Sequence, residues 1–180
     1  MPLISLRRAS AADRPVVERL WLMYRHDMSE FGGQLPNPDG TFRAERLAAA
    51  FDDRNWTCYV FTGPEGRPVG FAVVRGLGGP VRVLSSFFVV RSVRRAGVGL
   101  RAVTAIVAEH PGPWAVAFQD ANVGAVRFWH RAAEEVAGSD WSEERKAVPG
   151  RPDLPPDVWI SFGVTPGGPF VTPSAGSRGV

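Results

Sequence analysis

One short stretch of the sequence combines residues that suit an anionic ligand. It holds three arginines and two glycines, namely Arg91, Arg94, Arg95, Gly97 and Gly99. Glycine lets the backbone turn tightly and lets a ligand approach the main chain closely. A helix that begins near Gly97 would direct its free N–H groups and the positive end of its dipole into the same turn. Guanidinium groups, free amides and a helix dipole at one place predict a phosphate site.

The segments on either side of this stretch predict a strand and a helix. Residues 83–90 read VLSSFFVV and are rich in β-branched and aromatic residues, as buried strands are. Leu100, Val103 and Val107 then follow the spacing of a helix with one apolar face. The predicted phosphate site therefore lies in the loop between a central strand and a helix.

Charge is distributed unevenly along the chain. Residues 66–108 contain seven arginines and no acidic residue, whereas residues 27–53 contain six acidic residues and two arginines. This asymmetry predicts one end of the molecule suited to an anion and another suited to a cation. The net charge of +3 is mild and the basic residues do not alternate with aromatic ones, which argues against nucleic-acid binding.

A second motif follows downstream, in AFQDANVGAVRFWHRA at residues 117–132. With the arginine- and glycine-containing loop it resembles the GNAT superfamily of acyl-CoA-dependent N-acetyltransferases. The family loop has the form (Gln/Arg)-x-x-Gly-x-(Gly/Ala), and its second motif is an Asn that opens a helix, an Ala and then Phe-Tyr. The matching residues are Arg94, Gly97, Gly99, Asn122, Ala125 and Phe128, with Trp129 in place of the tyrosine.

The order of the predicted elements agrees with that resemblance. It implies an α/β GNAT fold whose mixed, mostly antiparallel sheet splays between two parallel strands and is flanked by about four helices. The first strand is predicted at residues 3–8. A second helix is predicted to be capped by Thr41 and to run through Phe51. Residues 1–164 are expected to form a single domain, and the Gly/Pro-rich residues 165–180 a disordered tail.

The resemblance implies acetyl-CoA as cosubstrate and no metal ion. The strand edge would pair with the pantetheine arm through its backbone, and the loop would hold the pyrophosphate. The asparagine would bind the arm, and the phenylalanine would pack near it. The residues assigned to acetyl-CoA in this way are Phe88, Val89, Val90, Arg94, Arg95, Ala96, Gly97, Val98, Gly99, Leu100, Asn122 and Phe128.

The reaction implied by the resemblance is direct attack of a primary amine on the thioester, which requires a proton acceptor for the ammonium and a proton donor for the thiolate. The central strand carries no acidic residue. Trp129 is a candidate catalytic residue whose indole can donate a hydrogen bond to the sulfur but cannot deliver a proton. The remaining candidates are His26, Asp27 and Glu30 beside a predicted acceptor pocket, and Ser86, which could order a relay water.

Two other functions stay open at this point. The first is a non-catalytic CoA-binding module, which Trp129 and the acid-free strand favour. The second is a dinucleotide-binding oxidoreductase, because Gly97, Gly99 and Ala102 match a Rossmann fingerprint with Asp120 downstream. The expected partners are acetyl-CoA and an amine, without nucleic acid or membrane, in a monomer or homodimer. The N-terminus lacks the pattern of a signal peptide and no apolar run is long enough to span a membrane, which predicts a cytoplasmic protein.

Overall fold

One seven-stranded sheet organises the protein, for which a computed structural model describes residues 4–165. The strands are β1 (Ser5–Arg8), β2 (Trp56–Thr62), β3 (Pro68–Arg75), β4 (Arg82–Val89), β5 (Gly112–Phe118), β6 (Trp141–Lys146) and β7 (Asp157–Val164). The helices are α1 (Arg14–Gly32), α2 (Glu45–Asp52), α3 (Val98–Glu109) and α4 (Val123–Ala137). Among the described strands, β4 and β5 form the one parallel pair, and the order across the sheet is β1-β2-β3-β4-β5-β7-β6. The predicted mixed α/β GNAT architecture is confirmed.

Two hydrophobic cores lie on opposite faces of the sheet. The core under α1 and α2 includes Val17 and Leu47 and receives Phe88 from β4. The core under α3 and α4 is larger and includes Ile106 and Trp129. Because successive side chains of a strand point to opposite faces, β4 contributes to both cores and is buried between them.

The parallel pair is short. β4 and β5 are paired only from Arg82 and Trp114 to Leu84 and Val116. Beyond that point β4 continues beside β3 alone, and β5 continues beside β7 alone. A gap therefore opens in the middle of the sheet between the second half of β4 and the end of β5.

A β-bulge accounts for this divergence. Val73 on β3 is opposite Ser86, whereas the next residue, Val74, is opposite Leu84. Ser85 is thus the extra residue of β4, and a bulge of this kind bends the strand that carries it. The bend begins where the pairing with β5 stops.

Most predicted elements are present, but the predicted start of the second helix was wrong. The predicted Thr41 cap does not exist: α2 begins at Glu45 with Ala44 at the N-cap position. Instead, the Thr41 main-chain N–H and hydroxyl both donate to Asp39 Oδ1, at 3.0 and 2.7 Å. Local hydrogen bonds of this kind compete with helix formation. At Thr41 the turn with Asp39 forms instead of the helix N-cap.

Three other expectations concern the ends of the chain, the dinucleotide-binding alternative and membrane-spanning helices. The first strand begins at Ser5, and the predicted tail at 165–180 lies almost entirely outside the described residues. A doubly wound sheet, which the dinucleotide-binding alternative requires, is not formed within residues 4–165, because the strands on either side of the parallel pair are antiparallel. Across the same residues, no helix has both the length and the apolar character needed to cross a membrane.

A polar cluster ties the first strands to the end of α3. The Tyr59 hydroxyl lies 2.7 Å from Glu109 Oε2 and 2.9 Å from His110 Nε2. Arg8 reaches both Glu109 and His110, at 3.3 Å each. Burial, followed by the charge of Arg8, lowers the pKa of His110, and Arg82 acts in the same direction while Glu109 opposes them. The fold therefore favours the neutral imidazole.

This cluster predicts a loss of stability in mild acid. An unfolded histidine titrates near pH 6.5, and the pKa of His110 is lower in the folded protein. The stabilisation of the folded protein by neutral His110 is therefore complete above about pH 6.5. It is lost as the pH falls from there through the pKa of His110 in the folded protein. Urea unfolding at pH 7.5, 6.5 and 5.5 should show the wild type losing more unfolding free energy on acidification than His110→Gln. Equal losses in the two proteins would contradict this role.

Candidate active site

The loop between β4 and α3 has an unusual backbone. Gly97, at the N-cap of α3, has φ +75° and Arg95 has φ +66°. The left-handed region is easy for glycine but costly for arginine, and such outliers persist mainly where function or surrounding structure requires them. Turns of this kind gather successive N–H groups into a concave anion site. Arg95 and Gly97, both left-handed, give the loop the backbone features of such a site.

The first turn of α3 adds further free N–H groups beside this loop. The Arg101 N–H donates to Gly97 O at 3.1 Å, which is the first hydrogen bond of the helical ladder. The N–H groups of Val98, Gly99 and Leu100 precede it and have no partner within the helix. Their dipoles and the helix macrodipole favour a negative charge in front of them.

Arg94 anchors the loop to the end of the central strand. Its Nε donates to Val89 O at 2.7 Å, and its Nη2 is paired with Asp27 Oδ2 of α1. Its guanidinium also lies 5.6 Å from the centre of the Phe88 ring. Arg94 therefore fixes the shape of the loop with several of its own donors.

Asp27 links this loop to α1. Besides Arg94 it binds Arg91 Nη2 through Oδ1 at 2.7 Å. Burial of Asp27 opposes its ionisation, but the hydrogen bonds from Arg94 and Arg91 prevail and lower the pKa of the carboxyl. The sequence predicted Asp27 near an acceptor amine, whereas the structure places its carboxylate between two loop arginines.

The edge of β4 that faces the gap can be identified from the backbone. Val90 N–H donates to Val69 O at 2.9 Å, and Phe88 O lies 2.3 Å from where a Cβ on Gly70 would be, so both residues turn their polar groups to β3. Polar groups alternate between the two edges of a strand. The backbone of Val89, and of Phe87 two residues earlier, consequently faces the gap. Sequence motifs had indicated Phe88, Val89 and Val90 but had missed Phe87.

An aromatic layer lies beneath the loop. The rings of Phe87 and Phe128 are stacked with centroids 5.5 Å apart, and Trp129 meets Phe87 edge-on at 5.5 Å. A Cβ on Gly99 would lie 2.9 Å from the Phe128 ring, so glycine is needed for this contact.

Asn122 caps α4, since its side chain accepts a hydrogen bond from Ala125 N–H at 3.0 Å.

The other predicted catalytic residues do not come together. Trp129 is 7% exposed and belongs to the core under α3 and α4. Ser86 is on the opposite face of β4, 3% exposed, and its Oγ has no hydrogen-bond partner among the described residues. His26 and Glu30 are exposed on α1. No described carboxylate on β4 can act as the base.

Comparison with known proteins identifies the family. A model of the acetyltransferase (GNAT) family matches residues 19–133. The chain belongs to this family. Acyl transfer is the general activity that GNAT membership supports. A search of curated proteins found no match to this chain.

Solved structures of other proteins share the fold. An acetyltransferase of the GNAT family from Staphylococcus aureus is 12% identical, with a TM-score of 0.63, over 91% of this chain and 100% of that one. A Corynebacterium glutamicum structure described as histone acetyltransferase HPA2 and related acetyltransferase is 16% identical, with a TM-score of 0.64, over 95% and 100%. A nourseothricin acetyltransferase is 14% identical, with a TM-score of 0.58, over 89% and 98%. At these identities the likeness shows the fold alone.

Sequence motifs missed a group of charged residues on the α2 side of the GNAT sheet. Arg46 of α2 donates from Nη1 to Ser85 O, the carbonyl of the bulge residue, at 3.3 Å. Burial and then the charge of Arg46 lower the pKa of Arg75 at the end of β3, whereas burial raises the pKa of Asp157 at the start of β7 against a smaller opposing effect of Arg46. These residues come from separate elements, so no local spacing in the sequence could have brought them together.

The double ion pair of Asp27 predicts a stabilising role for this residue. Its side chain is 18% exposed, against 69% for Arg91 and 41% for Arg94. Pairs with exposed partners contribute up to about 1 kcal/mol. Asp27→Asn should lower the unfolding free energy by about that amount, and Glu30→Gln, an exposed carboxylate on the same helix, should lower it by less. Urea denaturation measures both, and equal effects of the two substitutions would contradict the assignment.

Proposed function

We propose that this protein transfers the acetyl group of acetyl-CoA to a primary amine. The observation that carries the proposal is the gap between β4 and β5, which ends at a loop with a left-handed glycine and the open first turn of a helix. An extended thioester with a pyrophosphate at one end has the chemistry to fill such a gap. Membership in the GNAT family agrees with this chemistry.

The pyrophosphate is assigned to the loop and the start of α3. Main-chain N–H groups of Val98, Gly99 and Leu100 would donate to its oxygens. Arg95, whose side chain has no ion pair within residues 4–165, would add charge-assisted hydrogen bonds. Gly97 permits the left-handed turn that brings these donors together.

The pantetheine arm is assigned to the free edge of β4. An extended chain that carries amides can add to an exposed edge as an extra strand. The backbone N–H of Val89 and the polar groups of Phe87 face the gap, whereas Val89 O is already bound by Arg94 Nε. Asn122 uses its side-chain oxygen to cap α4 and retains its amide NH₂ as a donor.

The transfer itself requires a neutral amine beside the thioester. The amine nitrogen attacks the carbonyl carbon, the new C–N bond forms and the C–S bond breaks. The nitrogen loses one proton to a bound water, and CoA leaves as a thiolate that takes a proton from solvent. Positioning of the two reactants alone supplies up to about 7–11 kcal/mol of the barrier reduction. We assign the proton of the amine to a water bound at Ser86, whose buried Oγ has no hydrogen-bond partner among residues 4–165.

One observation favours a second candidate, a GNAT-like module that binds CoA without catalysis. Trp129 stands where the family motif has a tyrosine, and it is packed into the core. An indole donates a hydrogen bond but gives up no proton at neutral pH. Release of free thiol from acetyl-CoA with a panel of amines separates the candidates, because a non-catalytic module binds acetyl-CoA and releases none.

The assignment of the loop predicts that Gly97→Ala weakens acetyl-CoA binding. Alanine at φ +75° is strained, and its Cβ would lie 3.0 Å from Arg101 Nη1. The variant loop is expected to relax out of the left-handed turn when no ligand is bound. Returning it to that turn costs about 1–2 kcal/mol, so we expect the Kd measured by calorimetry to rise about tenfold. Gly138→Ala is the matched control, because Gly138 has φ +60° at the end of α4 with nothing within 4 Å. An unchanged Kd for Gly97→Ala would show that the pyrophosphate binds somewhere other than this loop.

The tryptophan predicts a slow enzyme that works best at alkaline pH. A thiol has a pKa near 8.5, so its thiolate leaves less easily when no acid is present. Trp129→Tyr would provide a hydroxyl, and turnover should rise more at pH 7 than at pH 9. Trp129→Phe controls for the loss of ring volume and should give no such gain at pH 7. If the wild type instead turns over rapidly at pH 7 and its turnover decreases as the pH rises toward 9, another group must act as the acid.

A further inference from the structure

The sheet face on which α1 and α2 lie is only partly covered by these helices. α1 and α2 pack on β2 and β3, and their core takes residues from β2, β3 and β4. Within residues 4–165, none of β5, β6 and β7 contributes to that core. The same face of β5 and β7 therefore lies beside the gap and outside the core under α1 and α2.

Two register partners on this face stand next to the gap. The residues on either side of Ala117 in β5, and of Trp159 in β7, belong to the core under α3 and α4. Because side chains alternate along a strand, Ala117 and Trp159 point to the opposite face, where they are direct partners. Ala117 borders the gap, since it follows the last residue of β5 that pairs with β4. Ser86 points to the same face from β4, because its partner Val73 lies in the core under α1 and α2.

The neighbours of Trp159 leave its ring accessible toward the gap. On the side away from the gap, Lys146 Nζ lies 5.2 Å from the ring centre and 2.5 Å from Glu144 Oε1. On the side of the gap, the register partner is Ala117, whose side chain is a single methyl group. We call the half-buried Trp159 ring and Ala117 together the apolar shelf. The apolar shelf extends from the middle of β7 to the mouth of the gap.

The distance from the apolar shelf to the gap suits a short linker. Neighbouring strands lie about 4.8 Å apart, and only β5 separates β7 from the gap. A linker of two or three saturated carbons, with bonds of about 1.5 Å, spans this distance. A ring seated on Trp159 would thus place an amine nitrogen at the mouth of the gap.

The charges that border the apolar shelf are balanced. Arg46 of α2 donates to Ser85 O at 3.3 Å and brings a positive charge to the mouth of the gap. Asp157 lies on the same face as its register partner Lys146, and Lys146 is paired with Glu144. Two positive and two negative side chains therefore surround the apolar shelf. Such a border does not select an acceptor with several positive charges, so the apolar ring surface is the feature that discriminates.

We propose that the acceptor is a primary amine that carries a flat apolar ring two or three carbons from its nitrogen. The ring stacks on Trp159 above Ala117, and the nitrogen enters the gap beside Ser86. The inference rests on the proposed acetyl transfer and specifies its substrate class. It replaces the acidic acceptor pocket that the sequence predicted around Asp27, because that carboxylate is bound by two loop arginines.

The test compares acceptors that differ in the ring. Phenethylamine, propylamine and spermidine are assayed by thiol release from acetyl-CoA. We expect kcat/KM for phenethylamine to exceed that for propylamine about tenfold or more, because the ring buries apolar surface on Trp159. Trp159→Leu should lower this ratio about threefold to tenfold through the loss of ring stacking, whereas Trp159→Phe should retain most of it. A ratio between two amines is insensitive to a general loss of active protein.

A second variant tests the apolar shelf without removing the ring. Ala117→Val adds two methyl groups between Trp159 and the gap, and valine suits a strand. It should lower kcat/KM for phenethylamine more than for propylamine. The matched control is Trp141→Leu, because Trp141 points to the opposite face, where its ring lies 5.3 Å from that of His130. This control should leave the ratio unchanged.

Calorimetry separates a failure of the proposed function from a failure of the substrate assignment. Binding of acetyl-CoA, and of phenethylamine to the CoA-saturated protein, is measured for every variant. If acetyl-CoA does not bind, or if no amine releases thiol, the proposed acetyl transfer fails and this inference fails with it. If thiol is released but the wild type uses propylamine or spermidine as well as phenethylamine, or Trp159→Leu leaves the ratio intact, only the substrate assignment is overturned.

Discussion

The bulge at Ser85 is the constraint on which the rest of the structure depends. A strand without it would continue to pair with β5 beyond Leu84, and the sheet would have no opening. Because the extra residue bends β4, its later backbone groups lose a strand partner on one side while β3 still holds the other. Unpaired backbone groups in the middle of a sheet are costly unless something binds them. The sheet itself thus leaves backbone groups of β4 open at the gap to which we assign the thioester arm.

Packing on both faces keeps β4 in this position. Phe88 enters the core under α1 and α2, where its ring lies 6.0 Å from that of Phe71, and Phe87 stacks on Phe128 of α4 on the other face. Gly70 lets β3 approach closely, since a Cβ there would lie 2.3 Å from Phe88 O. With three sides fixed, the strand cannot swing back to close the gap. An edge held by packing in this way needs less ordering when a ligand binds, which reduces the entropy that binding costs.

Local patterns made the fold and the loop predictable, whereas contacts between distant elements were not. The apolar strand before Arg94 and the helical spacing from Leu100 to Val107 are signals within a few residues. Thr41 was misplaced because the same side chain can cap a helix or close a turn with Asp39, and the sequence does not decide between them. Asp27 met the loop arginines only through the packing of α1 beside β4.

The contacts of Arg94 indicate a different role for the arginine of the loop motif than the sequence suggests. From sequence, a guanidinium beside two glycines suggests a direct phosphate ligand. In the structure its Nε holds Val89 O and its Nη2 holds Asp27, so these donors face the protein and not the loop concavity. Arg94 therefore acts on a ligand by fixing the end of β4 against the start of the loop, and its charge is partly balanced by Asp27. In the proposed complex, positive potential at the pyrophosphate then comes from main-chain amides, the α3 dipole and Arg95, which itself has a left-handed backbone.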